Sequence, residues 1–272
     1  MDYIQKGSGR YWRGISSLFL GSFVTFALLY CTQPLIPTFV EEFNLTPSYA
    51  SLSISLTTGF LAFFMLIMSW FADERGRKVI MSISLIGSAT LVVIQSFIDN
   101  FTLLLVLRAV QGILLAGFPA IAMAYINEEF DPTVAGLVMG IYVSGNSIGG
   151  LAGRIIVSTL TDFFSWHIAL GGIGLLCVAV SIWFWFSLPE SKHFSPQKPL
   201  MKEIIPILSK NLHHTSLLSV NIIGFIIMGS FVTTYNYIGS SLMAAPYYLS
   251  QTLVGCIFIV YLVGTFSSTY MG

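Results

Sequence analysis

Charge is what this sequence has least of. Of 272 residues, 12 are Lys or Arg and 12 are Asp or Glu, 9% of the chain, while 55% are hydrophobic. An average soluble domain carries roughly a quarter charged residues. A soluble fold of this length needs a far more polar surface, so the composition points to a membrane. The formal net charge is zero, which leaves no basic balance for nucleic acid. Cysteine is scarce too. Cys31, Cys177 and Cys256 stand alone in apolar runs without C-x-x-C spacing, so they read as reduced space-filling residues, with no disulfide framework and no metal centre. Zinc-ligand, phosphate-loop and ATP-binding patterns are missing, which argues against a pump driven by this chain alone.

What the chain has in abundance is apolar runs. Eight are long enough to cross a bilayer core of ~30 Å at ~20 residues each. They lie near 15–39, 50–71, 79–98, 101–125, 134–157, 167–188, 215–238 and 250–271. Period-2 alternation is absent, and lipid admits only helices or closed barrels, so the spans are helical. Thr46-Pro47 and Asp131-Pro132 each place an N-cap before a Pro at the first helical position. Pro34 and Pro37 bend the far end of the first helix. That helix follows Lys6, Arg10 and Arg13 as a signal peptide would, but it is too long and lacks a small-residue cleavage site.

Basic residues orient the bundle. Lys6, Arg10 and Arg13 lie in the N-terminal tail, Arg75, Arg77 and Lys78 in the second connection, and Lys192, Lys198, Lys202 and Lys210 in the sixth. The odd-numbered connections carry none. The positive-inside rule then makes the N-terminus and the sixth connection cytoplasmic. Trp12, Trp70 and Trp166 at span ends fit interfacial anchoring. Residues 189–214, with Pro189, Pro196, Pro199 and Pro206, form a cytoplasmic linker. It separates a six-helix unit, 1–188, from an incomplete second unit, 215–272. Gly21-Ser22-Phe23-Val24-Thr25 recurs as Gly229-Ser230-Phe231-Val232-Thr233 in the span that opens the second unit, consistent with parallel halves.

The second connection reads Ser69-Trp70-Phe71-Ala72-Asp73-Glu74-Arg75-Gly76-Arg77-Lys78. It resembles the signature G-x-L-A-D-R-x-G-R-[RK] of the major facilitator superfamily, with Asp73, Gly76, Arg77 and Lys78 matching and Ser69, Phe71 and Glu74 departing. The resemblance implies an all-α membrane fold and a cytoplasmic latch built by Asp73, Arg75, Gly76, Arg77 and Lys78, with Glu128 and Glu129 as candidate partners. An ordinary positive-inside loop is the plainer alternative. Gly76 allows a turn with φ > 0.

In the fourth span, Arg108, Gln111 and Gly112 share a helical face with Leu115, Ala116 and Pro119. They match the family pattern R-x-x-Q-G, whose Arg lines the central cavity and influences proton release or substrate binding. An Arg that only ties helix ends together is the alternative. An ionisable residue at this depth needs protein, water or a partner. Tyr30, Gln33, Asn221, Tyr235 and Asn236 are further polar candidates for that cavity. In the fifth span, Gly145, Gly149 and Gly153 form a ladder for close helix packing. With Asn146, Gly150 and Arg154 the stretch resembles the exporter signature G-P-x-x-G-G, with Asn146 in the Pro position. Arg154 is read either as functional or as snorkelling to the outer edge.

The reading is a secondary active transporter in the cell membrane, resembling bacterial drug or sugar efflux members and moving a small neutral or anionic molecule by alternating access. It needs no cofactor beyond a proton gradient, and its partners are the lipid bilayer and the small-molecule substrate. No Asp or Glu lies in an apolar core, so a proton carrier must sit at a span edge, at Glu41, Glu42, Asp99 or Asp162, or beyond residue 272. The family has twelve spans, so a missing C-terminal segment is expected and the 272 residues alone are expected not to transport. A non-transporting remnant or structural membrane protein is the alternative. Gly145-Asn146-Ser147-Ile148-Gly149 also satisfies the serine-hydrolase motif G-x-S-x-G, but that elbow needs a strand-to-helix turn, and an intramembrane protease is the weakest reading.

Overall fold

The structure is a computed structural model and describes residues 3–193 and 215–260, without the side chains of residues 69, 70, 72–75, 216 and 231. The described residues form helices and no strand. Seven helices or helix pairs are long and apolar enough to cross a membrane: Gly9–Glu42, Pro47–Met68, Arg77–Gln95, Phe101–Glu129, Pro132–Phe163, Trp166–Ser187 and Leu217–Met243. The expected eighth begins at Gln251, and its part beyond residue 260 lies outside the described residues, as does most of the expected linker.

Prolines set the internal breaks. The first span is α1 (Gly9–Tyr30), a 3₁₀ turn over Gln33–Leu35, and α2 (Ile36–Glu42). Pro34 and Pro37 have no N–H for the carbonyl one turn back, so the helix cannot run on. The fourth span divides likewise, into α6 (Phe101–Leu115) and α7 (Gly117–Glu129), one turn before Pro119. Between these lie α3 (Pro47–Ala50), α4 (Leu52–Arg75) and α5 (Arg77–Gln95). After them come α8 (Pro132–Phe163), α9 (Trp166–Ser187), α10 (Thr215–Met243) and α11 (Gln251–Cys256).

Polar side chains start the helices. The Thr46 hydroxyl accepts the Tyr49 amide, Asn100 the Leu103 amide and Ser165 the Ile168 amide. Asp131 accepts both the hydroxyl of Thr133, at 2.6 Å, and its amide, at 2.9 Å, and these bonds hold its carboxyl below the usual carboxylate range.

The helices from 9 to 187 pack as one bundle, with α1 at its centre against α8 and α9. The N-terminal tail, the 75–77 turn, the 129–132 corner and the 188–193 segment meet at one end, here the basic end. Arg13 Nη2 donates to Phe186 O at 2.9 Å, and Ile4 N donates to Glu129 O at 2.8 Å. At the opposite end, Phe39, Phe43, Phe101 and Trp166 form an aromatic cluster with ring centroids 5.3–6.2 Å apart. Trp166 is therefore only 2% exposed, and its indole N–H donates to Glu42. It is a core residue and not the interfacial anchor expected from its place at a span end. Trp12, 63% exposed, does sit on the outside.

Candidate functional site

Three polar constellations occupy the bundle. The first is at the basic end. Gly76 joins α4 to α5 with φ 93°, a conformation that favours glycine. The turn delivers Arg77 onto Glu128, with Nε–Oε2 3.1 Å and Nη2–Oε1 2.7 Å, a forked ion pair that ties span 3 to span 4. Glu129 turns the other way. Its fully buried carboxylate accepts the His193 amide at 2.8 Å, and the His193 ring stacks on Tyr3. Lys78 lies half-buried beside this turn. The side chains of Asp73 and Arg75 lie outside the described residues.

The second constellation surrounds Arg108 in α6, which has no accessible surface. Nε donates to Ser53 O at 2.7 Å, Nη2 to Leu29 O at 2.9 Å, and Nη1 to Leu28 O at 3.1 Å and to Gln111 Oε1 at 2.8 Å. Gln111 also accepts from Gln95 Nε2 at 3.1 Å. Thr57 Oγ1 donates to Arg108 O at 3.0 Å, and Gly112 lies against the Thr57 carbonyl, where a Cβ would collide. The sequence pattern puts Arg108, Gln111 and Gly112 on a cavity. In this conformation Arg108 and Gln111 are fully buried, and carbonyls exposed by a broken helix close around the guanidinium.

The third constellation joins the first unit to the second. Gly145, Gly149 and Gly153 of α8 lie on the backbone of α1. A Cβ on Gly145 would sit 2.6 Å from Phe19 O, and one on Gly153 2.7 Å from Ala27 Cα. This close crossing carries Arg154 to Tyr30 and Gln33. Arg154 is 3% exposed and does not snorkel. Its Nε donates to Gln33 Oε1 at 2.6 Å and its Nη1 to Gly150 O at 2.8 Å. Its guanidinium lies between two rings, 4.1 Å from the centroid of Tyr30 and 4.4 Å from that of Phe258. A side chain on Gly150 would crowd this stack, 3.3 Å from Arg154 Nη1. Gln33 Nε2 in turn donates to Asn236 Oδ1 at 2.7 Å, which links α10 to the first unit. Tyr235 stacks on Phe258 with centroids 5.0 Å apart.

Around this cluster the same end is sealed by Gln251 donating to Pro34 O, by Thr252 Oγ1 donating to Asp162 at 2.7 Å, and by Gly255 against Ser158. Gln33, Pro34, Tyr235, Asn236 and Phe258 border a cavity of about 10 Å³, roughly the room one water needs. Five sequence-predicted residues, Tyr30, Gln33, Arg154, Tyr235 and Asn236, thus come together. Asn221 does not join them and is exposed on α10. Asn146 stands apart, beside the Ser22 hydroxyl. Phe258, Asp162 and Thr252 carry the contact as well. Phe258 is one apolar letter in an apolar run, and nothing in the sequence marks it. The Ser147 of the G-x-S-x-G stretch lies inside the 32-residue helix α8, where no nucleophile elbow can form.

A bundle of membrane-crossing helices with two units meeting through buried polar side chains at one end defines a polytopic all-α membrane protein. The sequence profile of the Major Facilitator Superfamily matches residues 18–272. The chain is 43% identical over 272 residues to the uncharacterized MFS-type transporter YybF of Bacillus subtilis, covering 100% of this chain and 67% of YybF. It is 39% identical over 271 residues to the inner membrane transport protein YnfM of Escherichia coli, covering 100% of this chain and 65% of YnfM. A solved bacterial homolog of the human lysosomal transporter Spinster, inward-facing and unoccupied, superposes with a TM-score of 0.74 at 16% identity, over 96% of this chain and 61% of that one. The chain belongs to the major facilitator superfamily and is a membrane transporter by family. It spans about two-thirds of the length of these relatives.

Proposed function

We propose that the chain builds the first unit and the start of the second unit of a secondary active transporter that works by alternating access in the cell membrane. The N-terminus and the basic end face the cytoplasm, so the Arg154–Gln33–Asn236 end faces outward. The single observation that carries this reading is that contact. Polar side chains of both units close on each other at one end, through the Gln33–Asn236 and Thr252–Asp162 hydrogen bonds and the stacking of Phe258 on the Arg154 guanidinium. An interhelical hydrogen bond in lipid is worth only about 0.6–2 kcal/mol, so a contact built from a few of them can open as well as close.

The transported species is a small neutral or anionic molecule, and transport is export coupled to protons. The acidic residues at span edges support the coupling, because Glu42, Asp99 and Asp162 all lie at the gated end. Asp99 meets His167 at 3.1 Å, and Asp162 meets Thr252 of the second unit. Reconstitution of the full-length protein into liposomes under an imposed pH gradient tests this with sugars and anionic dyes as probes. Gradient-dependent movement of a probe above empty liposomes is expected. Its absence across the panel, with correctly inserted protein, favours a non-transporting membrane protein.

A further inference from the structure

Span 1 ends its first helix inside the bundle. α1 stops at Tyr30 and α2 starts at Ile36, with a 3₁₀ turn over Gln33–Leu35 between them. The carbonyls of a helix's last turn have no intrahelical donors, and lipid offers no water in their place. Arg108 of span 4 supplies donors to two of them, Leu28 O and Leu29 O, and anchors itself to Ser53 O of span 2. Its positive charge also faces the negative pole of the α1 dipole. Every one of these partners is a backbone atom except Gln111 and Cys31, the latter at 3.8 Å. Backbone partners fix a direction of the chain and not a side-chain rotamer.

The residues that leave this capped end are the gate residues. Tyr30, next to Leu29, lies over Arg154, and Gln33 bonds both Arg154 and Asn236. We propose that Arg108 is the positioning residue of the gate: by capping the proline break in span 1 it aims Tyr30 and Gln33 at Arg154 and Asn236, and it touches no substrate. Three spans, 1, 2 and 4, are thereby locked together on one side of the gate, so that the moving contact is the one to the second unit.

The proposal rests on the Gln33–Asn236 contact being a closed gate, and the test separates the two. Ser48 Oγ and Tyr237 Oη lie 3.2 Å apart across the same seam, and both residues are exposed. In the full-length chain with Cys256→Ser, the pair Ser48→Cys and Tyr237→Cys is treated with a short bismaleimide in membranes. Cross-linking of the parent is expected; its failure sinks the gate reading. In the same background Arg108→Ala is expected to lower the cross-linked fraction severalfold, and Arg108→Lys to recover part of it. Adding Pro34→Ala and Pro37→Ala to Arg108→Ala is expected to recover it further, because a continuous helix supplies its own donors. A control pair at the basic end, Tyr3→Cys and His193→Cys, is expected to cross-link equally in all variants, which a general loss of structure would not allow. Parental cross-linking in Arg108→Ala overturns the proposal. So does failure of both Arg108 variants to insert, since the role is then global folding and not local positioning.

Discussion

Gly149 and Gly153 have no side chain because the backbone of α1 occupies the space one would take. Overpacking of this kind costs about 1–3 kcal/mol where neither backbone can retreat. Gly136 and Gly140, on the same helix, have nothing within 4 Å of where a methyl group would stand. We expect Gly153→Ala to lower the thermal unfolding midpoint of the purified full-length protein, and Gly140→Ala to leave it unchanged or raise it slightly; equal midpoints for the two would contradict the packing described. A second residue-level expectation concerns Arg154 and Gln33. Arg154→Met leaves the Gln33 carbonyl oxygen without its donor in a buried site, a loss of about 1–3 kcal/mol. In a double-mutant cycle with Gln33→Leu the two losses are expected to be clearly less than additive. At this scale the sequence is half legible. The i, i+4 spacing of glycines announces a close crossing, and an Arg in an apolar run announces a partner. Neither names that partner, because Gln33 and Ala27 lie in another span and no local pattern links them to α8.

Helix ends were the most legible elements. Thr46 and Asp131 cap where the Thr-Pro and Asp-Pro pairs place them, since a side-chain acceptor and a proline act within one turn. The break in span 1 was readable from Pro34 and Pro37 for the same reason. What answers the break was not: the cap comes from Arg108, far along the chain. The same local chemistry gives a prediction for α8, where Asn146 replaces the Pro of the exporter signature. The carbonyl that a proline at 146 would orphan is Tyr142 O, and it already accepts the Ser22 hydroxyl at 2.7 Å. A proline inside a helix ordinarily costs ~3 kcal/mol or more, in part through that lost hydrogen bond. Asn146→Pro is therefore expected to be distinctly milder than Ser147→Pro, measured as midpoints of denaturant unfolding in detergent. Equal destabilisation by the two would show that Ser22 does not stand in as donor.

For the whole molecule, composition alone indicated a polytopic helical membrane protein, and the family profile and the fold agree. The two polar ends differ in how far they could be foreseen. The basic residues of the 75–78 turn cluster in sequence, while the Arg154–Gln33–Asn236 cluster is assembled from spans 1, 5, 7 and 8 and exists only once they pack. Orientation rests on the basic connections, and labelling checks it. A cysteine at Ser195 in intact cells is expected to resist an impermeant maleimide applied outside, and rapid labelling would invert the topology.

The central claim is that the Arg154–Gln33–Asn236 end opens and closes. Spin labels at Glu41 and Tyr247, both exposed at that end, report it directly in the full-length protein by double electron–electron resonance in liposomes. The account predicts a short distance matching the closed structure and a second, longer one, with populations that shift with pH. A single short distance at every pH would contradict it.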